Sequence, residues 1–340
     1  MRTLFSLLLI PLVGLTLHAK TLTDMDGRIA TLPDQTDRVF GSSPPMNYLL
    51  YALNPEKMIG LNFKAKNANN GADPQILSQK FLSLPVIGSF HGGGQSINLE
   101  TLMAYKPQLV LLWQDDMMVQ TVAKEIAKTN IPTFMIPFRK INDMPRAFRL
   151  AGDAIGEHKR GVVLAKYSEG IISEVHNRVS KAKPTRYYYA EGLDGLSTEC
   201  DQSFHIEALN FAGGENVHKC QQSGLLGLEK ITFETLLTYD PDVIIVQNSS
   251  VYTDLTSDPL WHNLRAVKSG RIHLVPIQPF NWIDRPPSFM RVLGIQWLAQ
   301  KFHPNEYKAN MTKRTKEFYN LFLRVNLSDE QTKNLLGANQ

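Results

Sequence analysis

The sequence predicts an α/β protein with two similar lobes joined by one long helix. Three observations carry this expectation. The first is an internal repeat: residues 98–113 (NLETLMAYKPQLVLLW) match residues 232–247 (TFETLLTYDPDVIIVQ). Glu100 falls on Glu234, Thr101 on Thr235, Leu102 on Leu236, Tyr105 on Tyr239 and Pro107 on Pro241, and most other pairs are apolar on apolar. The offset from Glu100 to Glu234 is 134 residues, too long for a solenoid period and suited to two lobes each built once. The second is a set of short, unalternated apolar runs, the pattern of strands buried on both faces in parallel sheets. The third is a helix-patterned stretch between the two copies, residues 143–183.

Each copy of the repeat reads as a local unit. Asn98 and Thr232 are favourable N-cap residues, and a glutamate follows in the first turn, where a carboxylate complements the helix dipole. A short helix runs to Tyr105 or Tyr239, and the proline two residues on stops it. The apolar runs Leu109–Trp113 and Val243–Val246 then read as strands. Further strands are expected at Arg38–Gly41, Met58–Leu61, Thr133–Ile136, Arg186–Glu191 and Ile272–Pro276, alternating with helices as in α/β folds. From Lys159 to Val179 the central stretch is amphipathic, with Val162, Val163, Ala165, Tyr167, Ile171, Ile172 and Val175 on or near one face, and Pro184 follows it. One helix between two lobes is a rigid connector, unlike a Gly/Ser tether. The expected units are a leader (1–19), an N-terminal α/β lobe (20–142), a connecting helix region (143–183) and a C-terminal α/β lobe (184–340).

With 340 residues, 43% of them hydrophobic and 20% charged, the composition is globular and the length suits two domains. The net charge of +4 is small and no block of five like charges occurs, so nothing points to nucleic acid or to a polybasic membrane patch. Arg2, the apolar run from Leu4 to Leu17 and the small residue Ala19 form a secretory signal, with cleavage expected after Ala19. The run is shorter than the roughly 20 residues a membrane span needs. The first cysteine is Cys200, so no lipid anchor is expected near the cut and the mature chain is expected in the periplasm. In that oxidising compartment Cys200 and Cys220 can form a disulfide worth about 3 kcal/mol, the other reading being two buried free thiols.

Enzyme motifs are incomplete. His91 opens an HGGG run like the oxyanion segment of lipases and esterases, but no G-x-S-x-G elbow follows. There is no phosphate-binding loop, no G-x-G-x-x-G and no H-E-x-x-H, and the His205-Ile206-Glu207 run lacks the P-C-x-x-C of a zinc deaminase. The chain is therefore expected not to be an enzyme, with a secreted hydrolase as the competing reading.

The paired segments, the leader and the connecting helix come with smaller pieces: Leu49–Leu53 followed by Ile59-Gly60, residues 212–217 (AGGENV), and residues 284–288 (DRPPS) leading into 294–298 (GIQWL). In this order the set resembles the helical-backbone (class III) substrate-binding proteins of ABC importers, which are receptors for cobalamin, ferric siderophores, haem and metal chelates. It is similar in flavour to the iron- or nickel-chelate receptors of epsilon-proteobacteria. The resemblance covers essentially the whole mature chain. It implies two Rossmann-like lobes with mostly parallel sheets, a ligand cleft between them, no catalytic cofactor, a monomer, and an inner-membrane ABC permease as partner. It also implies that a glutamate on the outer tip of each lobe docks on permease arginines; the matching positions are Glu100 and Glu234.

Ligands of α/β sheets bind beyond the carboxyl ends of the strands. Candidate cleft residues are therefore Ser43, His91, Trp113 and Gln114 in the first lobe, and Tyr189, Asn248, Trp282 and Arg285 in the second. His91, in a glycine-rich loop, is the candidate metal ligand, since neutral imidazole suits nickel, iron, zinc and copper. Trp113 and Trp282 offer flat apolar walls, Trp282 being expected nearer the surface, and Arg285 can pair with ligand carboxylates or catecholates unless a neighbouring acid takes it. A bare-ion site needs three or four protein ligands, and one good one is visible, which favours a metal already held by a small chelator. The expected function is capture of an iron–siderophore or a nickel chelate such as nickel–histidine, with a cobalamin or haem receptor of the same fold as the alternative.

Overall fold

The structure is a computed structural model that describes residues 19–64, 76–90, 97–113, 117–220 and 227–337. It opens with an antiparallel hairpin, β1 (Ala19–Thr23) and β2 (Ile29–Pro33). Asp24 organises its turn: one carboxylate oxygen accepts from the amides of Asp26 and Arg28, and the other accepts from the amide of Met135, which pins the hairpin to the first lobe.

The N-terminal lobe carries a parallel sheet of β3 (Val39–Gly41), β4 (Leu109–Leu112) and β5 (Thr133–Met135), in the order β3-β4-β5. Every residue of β4 is buried, as expected of a strand covered on both faces. Helices α1 (Pro44–Leu53), α2 (Gln79–Leu82), α3 (Leu99–Ala104) and α4 (Met117–Ala127) connect these strands. The expected strand at Met58–Leu61 forms only isolated bridges, Val39 to Met58 and Leu61 to Val86. The segment changes partner within four residues: Ile59 donates to the Val39 carbonyl, whereas Leu61 donates to that of Pro85, so no ladder builds up.

The expected helical stretch 143–183 is two helices, α5 (Met144–Ile155) and α6 (His158–Val179), separated where Gly156 takes a left-handed conformation (φ 78°). They pack closely because Gly161 carries no Cβ; one placed there would lie 2.5 Å from the Phe148 carbonyl oxygen. At 1.5 Å per residue, the 22 residues of α6 span about 33 Å.

The C-terminal lobe has a four-stranded parallel sheet in the order β11-β10-β6-β8: β6 (Thr185–Ala190), β8 (Gly214–Asn216), β10 (Val243–Val246) and β11 (Ile272–Leu274). A small antiparallel pair, β7 (Ser197–Glu199) with β9 (Leu228–Lys230), sits beside it. A disulfide joins Cys200 to Cys220, with Cα atoms 4.7 Å apart. Helices α7 (Glu207–Phe211), α8 (Phe233–Tyr239), α9 (Ser249–Ser257) and α10 (Arg265–Lys268) complete the alternation. Then α11 (Arg291–Phe302), α12 (Met311–Phe318) and α13 (Asp329–Leu336) return toward the connector, and α11 packs on α6.

One apolar core runs through both lobes. Tyr48 of α1 stacks on Phe280 at 3.8 Å between ring centroids, and Phe148 of α5 meets Phe322 at 5.6 Å. Arg324 donates to the carbonyls of Tyr51, Ala52 and Leu53, and Arg160 of α6 donates to that of Ala52, so two cations cap the C-terminal end of α1.

The repeat is a duplicate in three dimensions. The Asn98 side chain accepts from the Thr101 amide at 2.7 Å, and that of Thr232 accepts from the Thr235 amide at 3.2 Å. From Asn98 to Tyr105 and from Thr232 to Tyr239, exposed and buried positions alternate in the same sequence. Lys106 and Asp240 then take left-handed conformations (φ 47° and 37°). An arginine beside the first strand of each lobe closes the turn: Arg38 donates to the carbonyls of Tyr105 and Lys106, and Arg186 to those of Tyr239 and Asp240.

Candidate functional site

The two sheets differ most at the carboxyl ends of their strands. β6 passes three buried tyrosines, Tyr187 to Tyr189, and is followed by Glu191, whose amide donates to the Ser197 carbonyl at 2.8 Å. That bond turns the chain back into β7, which brings Glu199 alongside; the Cys200 disulfide anchors the next residue. Arg285, on the loop before α11, reaches both carboxylates. Its Nε donates to Glu191 at 2.8 Å, and Nη2 pairs with Glu199. Both glutamates are buried, whereas the Arg285 side chain is 28% exposed. Arg285 also holds a left-handed backbone (φ 56°), strain of the kind that collects at functional sites.

Its neighbour Asp284 pairs with His205 Nδ1. The His205 ring lies 3.9 Å from that of Phe204, and Phe204 in turn meets Trp113, at the end of β4, edge-on at 6.3 Å. This chain of contacts joins the strand ends of the two lobes.

Electrostatically the cluster carries an excess of acid. Glu191, Glu199 and Asp284 face one guanidinium and one imidazole. Burial pushes the Glu191 carboxyl up to about 7, against the pull of Arg285. Burial likewise raises the Tyr189 hydroxyl, and Glu191 and Asp284 add to the effect. The Tyr189 hydroxyl and one oxygen each of Glu191 and Glu199 are buried with no hydrogen-bond partner in the protein. A separate cavity of about 400 Å³ lies beyond β10 and β11, against α13; Ser249, Val275, Ile277, Gln278 and Leu335 contribute to its lining, which among the described residues contains no charged side chain.

The expected site residues divide sharply. Arg285 and Tyr189 come together, with Trp113 linked to them through Phe204 and His205; Trp113 is only 4% exposed. Ser43 is buried at the N-terminus of α1, its hydroxyl without a partner. Asn248 caps α9, accepting from the Ser250 amide at 3.0 Å. Trp282 requires a correction. It is fully buried, its indole donates to the Gln278 carbonyl, and Gly294 of α11 packs against its backbone, so it is core and no ligand wall. His91 and Gln114 lie outside the described residues. Glu100 and Glu234 are exposed on α3 and α8.

Sequence reasoning missed Glu199, Phe204 and His205. The signals were faint: Glu199 directly precedes a cysteine of the disulfide, and His205 belongs to a run weighed only as a deaminase fragment. In that run Glu207 has a structural role, accepting from the Ile141 amide at 2.8 Å and pairing with Arg291.

The sequence model of the family described as periplasmic binding protein matches residues 87–279. The chain belongs to that family. An ABC transporter solute binding protein from Sulfurospirillum deleyianum is 37% identical, with a TM-score of 0.87 over 93% of this chain and 98% of that one. The molybdate-binding protein MolA of Haemophilus influenzae is 24% identical over 335 residues, 90% of this chain and 91% of that protein. Helicobacter pylori CeuE, solved as its Ni-His complex, shares the fold at 13% identity, with a TM-score of 0.69 over 94% of this chain and 99% of that one. This periplasmic binding protein is thus not an enzyme and carries no catalytic cofactor; it binds a small transported molecule and works with a cognate ABC transporter permease. No helix among the described residues is long and apolar enough to cross a membrane.

Proposed function

We propose that this periplasmic binding protein captures a metal already held by a small chelator, an iron–siderophore or a nickel chelate such as nickel–histidine, between its lobes, and delivers it to the permease. The observation that carries the reading is the charge balance around Arg285. A site for a free oxyanion such as molybdate needs unspent positive charge. Here the one guanidinium of the cluster is shared by two buried carboxylates with a third beside them. Such a wall suits a neutral or cationic chelate, and Arg285 Nη1 remains free to meet a chelator carboxylate. In this reading His91 supplies a metal ligand, Gln114, Ser43, Tyr189 and Asn248 line the cleft, Glu100 and Glu234 dock on the permease, and residues 1–19 are a cleaved leader. The units 20–142, 143–183 and 184–340 act as lobe, connector and lobe.

The test is native mass spectrometry with metal analysis on protein from the periplasm, followed by thermal shifts with nickel–histidine, ferric siderophores and molybdate. A bound metal with a small organic mass is the expected result, and ligand at 100 times its Kd adds about 2.7 kcal/mol. A shift with molybdate alone overturns the reading. The cobalamin or haem alternative loses one of its two aromatic walls, because Trp282 is core; an optical spectrum of the purified protein tests it directly.

A further inference from the structure

The duplicated elements present more than a glutamate. Met103 of α3 and Leu237 of α8 are large apolar side chains left 48% and 38% exposed. They stand at equivalent positions of the repeat, each three residues after Glu100 or Glu234, so acid and apolar group share a helix face. Leu102 and Leu236, the buried residues between them, are fully inaccessible, which sets both helices in the same rotation on their lobes. Among the described residues, the other exposed large apolar side chains, Ile29, Val163, Leu193, Leu228 and Leu260, have no such counterpart in the other lobe. Two lobes whose cleft ends have diverged keep the same pairing on their outer ends.

We infer that Met103 and Leu237 are apolar anchors of the surface that docks on the permease, each seated beside its glutamate in a pocket that offers a basic group next to an apolar one. This rests on the reading of Glu100 and Glu234 as docking residues. The physical case is that an exposed ion pair by itself contributes little, being screened and entropically costly. An apolar side chain that becomes buried at the contact supplies affinity, while the carboxylate supplies orientation and partner choice. The shared rotation of α3 and α8 calls for two like pockets on the partner, one under each lobe.

The experiment measures binding of the full chain to proteoliposomes holding the cognate permease. It compares wild type, E100A/E234A, M103S/L237S and, as an exposed apolar control in the second lobe, L260S. Circular dichroism melting checks that every variant is folded. The expected result is that M103S/L237S binds at least tenfold more weakly while L260S matches wild type. If M103S/L237S binds like wild type while E100A/E234A is weakened, the apolar anchors are overturned and glutamate docking stands. If E100A/E234A and M103S/L237S both bind like wild type, the docking reading fails and this inference fails with it.

Discussion

The two lobes of this periplasmic binding protein agree on their outer ends and disagree where they face each other. On the outside, α3 and α8 share cap, exposure pattern and closing arginine. The Gln108 amide donates to the Arg38 carbonyl at 2.8 Å, and the Asp242 amide to that of Arg186 at the same distance. On the inside, Ser42 and Ser43 follow β3, whereas Glu191 follows β6 within a cluster of acids around Arg285. In the proposed reading, a permease that holds both lobes at once constrains their outer ends alike, whereas a ligand between the lobes imposes no such symmetry.

The contrast can be broken at the inner ends first. Arg285→Ala leaves Glu191 and Glu199 buried without their cation, and removing one partner of a buried pair costs about 3–5 kcal/mol. The counterpart in the first lobe, Ser43→Ala, removes a buried hydroxyl that has no partner and is expected to change stability by less than about 0.5 kcal/mol. Urea unfolding of the two variants measures the difference; equal losses remove the asymmetry between the lobes.

Acid–base titration sharpens the same contrast. The Glu191 carboxyl is raised in the folded state from an ordinary 4.5 to about 7. Between those values the folded chain binds more protons than the unfolded one, so stability from this group is complete below about pH 4.5 and is lost as pH rises toward 7. The loss is on the order of 3 kcal/mol. Glu191→Gln is expected to remove that slope from the stability–pH curve. An unchanged slope assigns the acid excess to another group.

The smallest effects belong to the outer ends. Arg186→Ala and Arg38→Ala each remove two hydrogen bonds to helix-terminal carbonyls, at a cost of about 1–2 kcal/mol. The losses should be similar, with Arg186 the larger because its site is more buried. A difference above about 2 kcal/mol means that the duplication is one of shape without energetic equivalence.

Much of the fold was legible because its signals are local. The repeat, its caps and the buried runs of β4 and β10 each depend on residues near in sequence. The Met58–Leu61 segment misled because its apolar pattern cannot say which neighbour it will pair with, and the chain switches from Val39 to Val86. The site was legible in part. Arg285 and Tyr189 were expected from their place after strands, yet Glu199, the second carboxylate on Arg285, arrives from β7 through a turn closed by backbone bonds. Trp282 was misjudged because the prolines and polar residues of the 279–287 loop suggest an exposed segment, while the surface that covers it, Gly294 of α11, is supplied by the fold.

The amino-acid sequence by itself determined the α/β class, the doubling of the lobe, the capped helices that carry Glu100 and Glu234, and the amphipathic connector, because periodicity and capping act over a few residues. Only the tertiary structure decided that Arg285 would stand between two buried carboxylates, that His205 would pair with Asp284, and that Trp282 would lie in the core. Burial and charge pairing depend on which distant segments meet, and that is set by the packing of the whole chain.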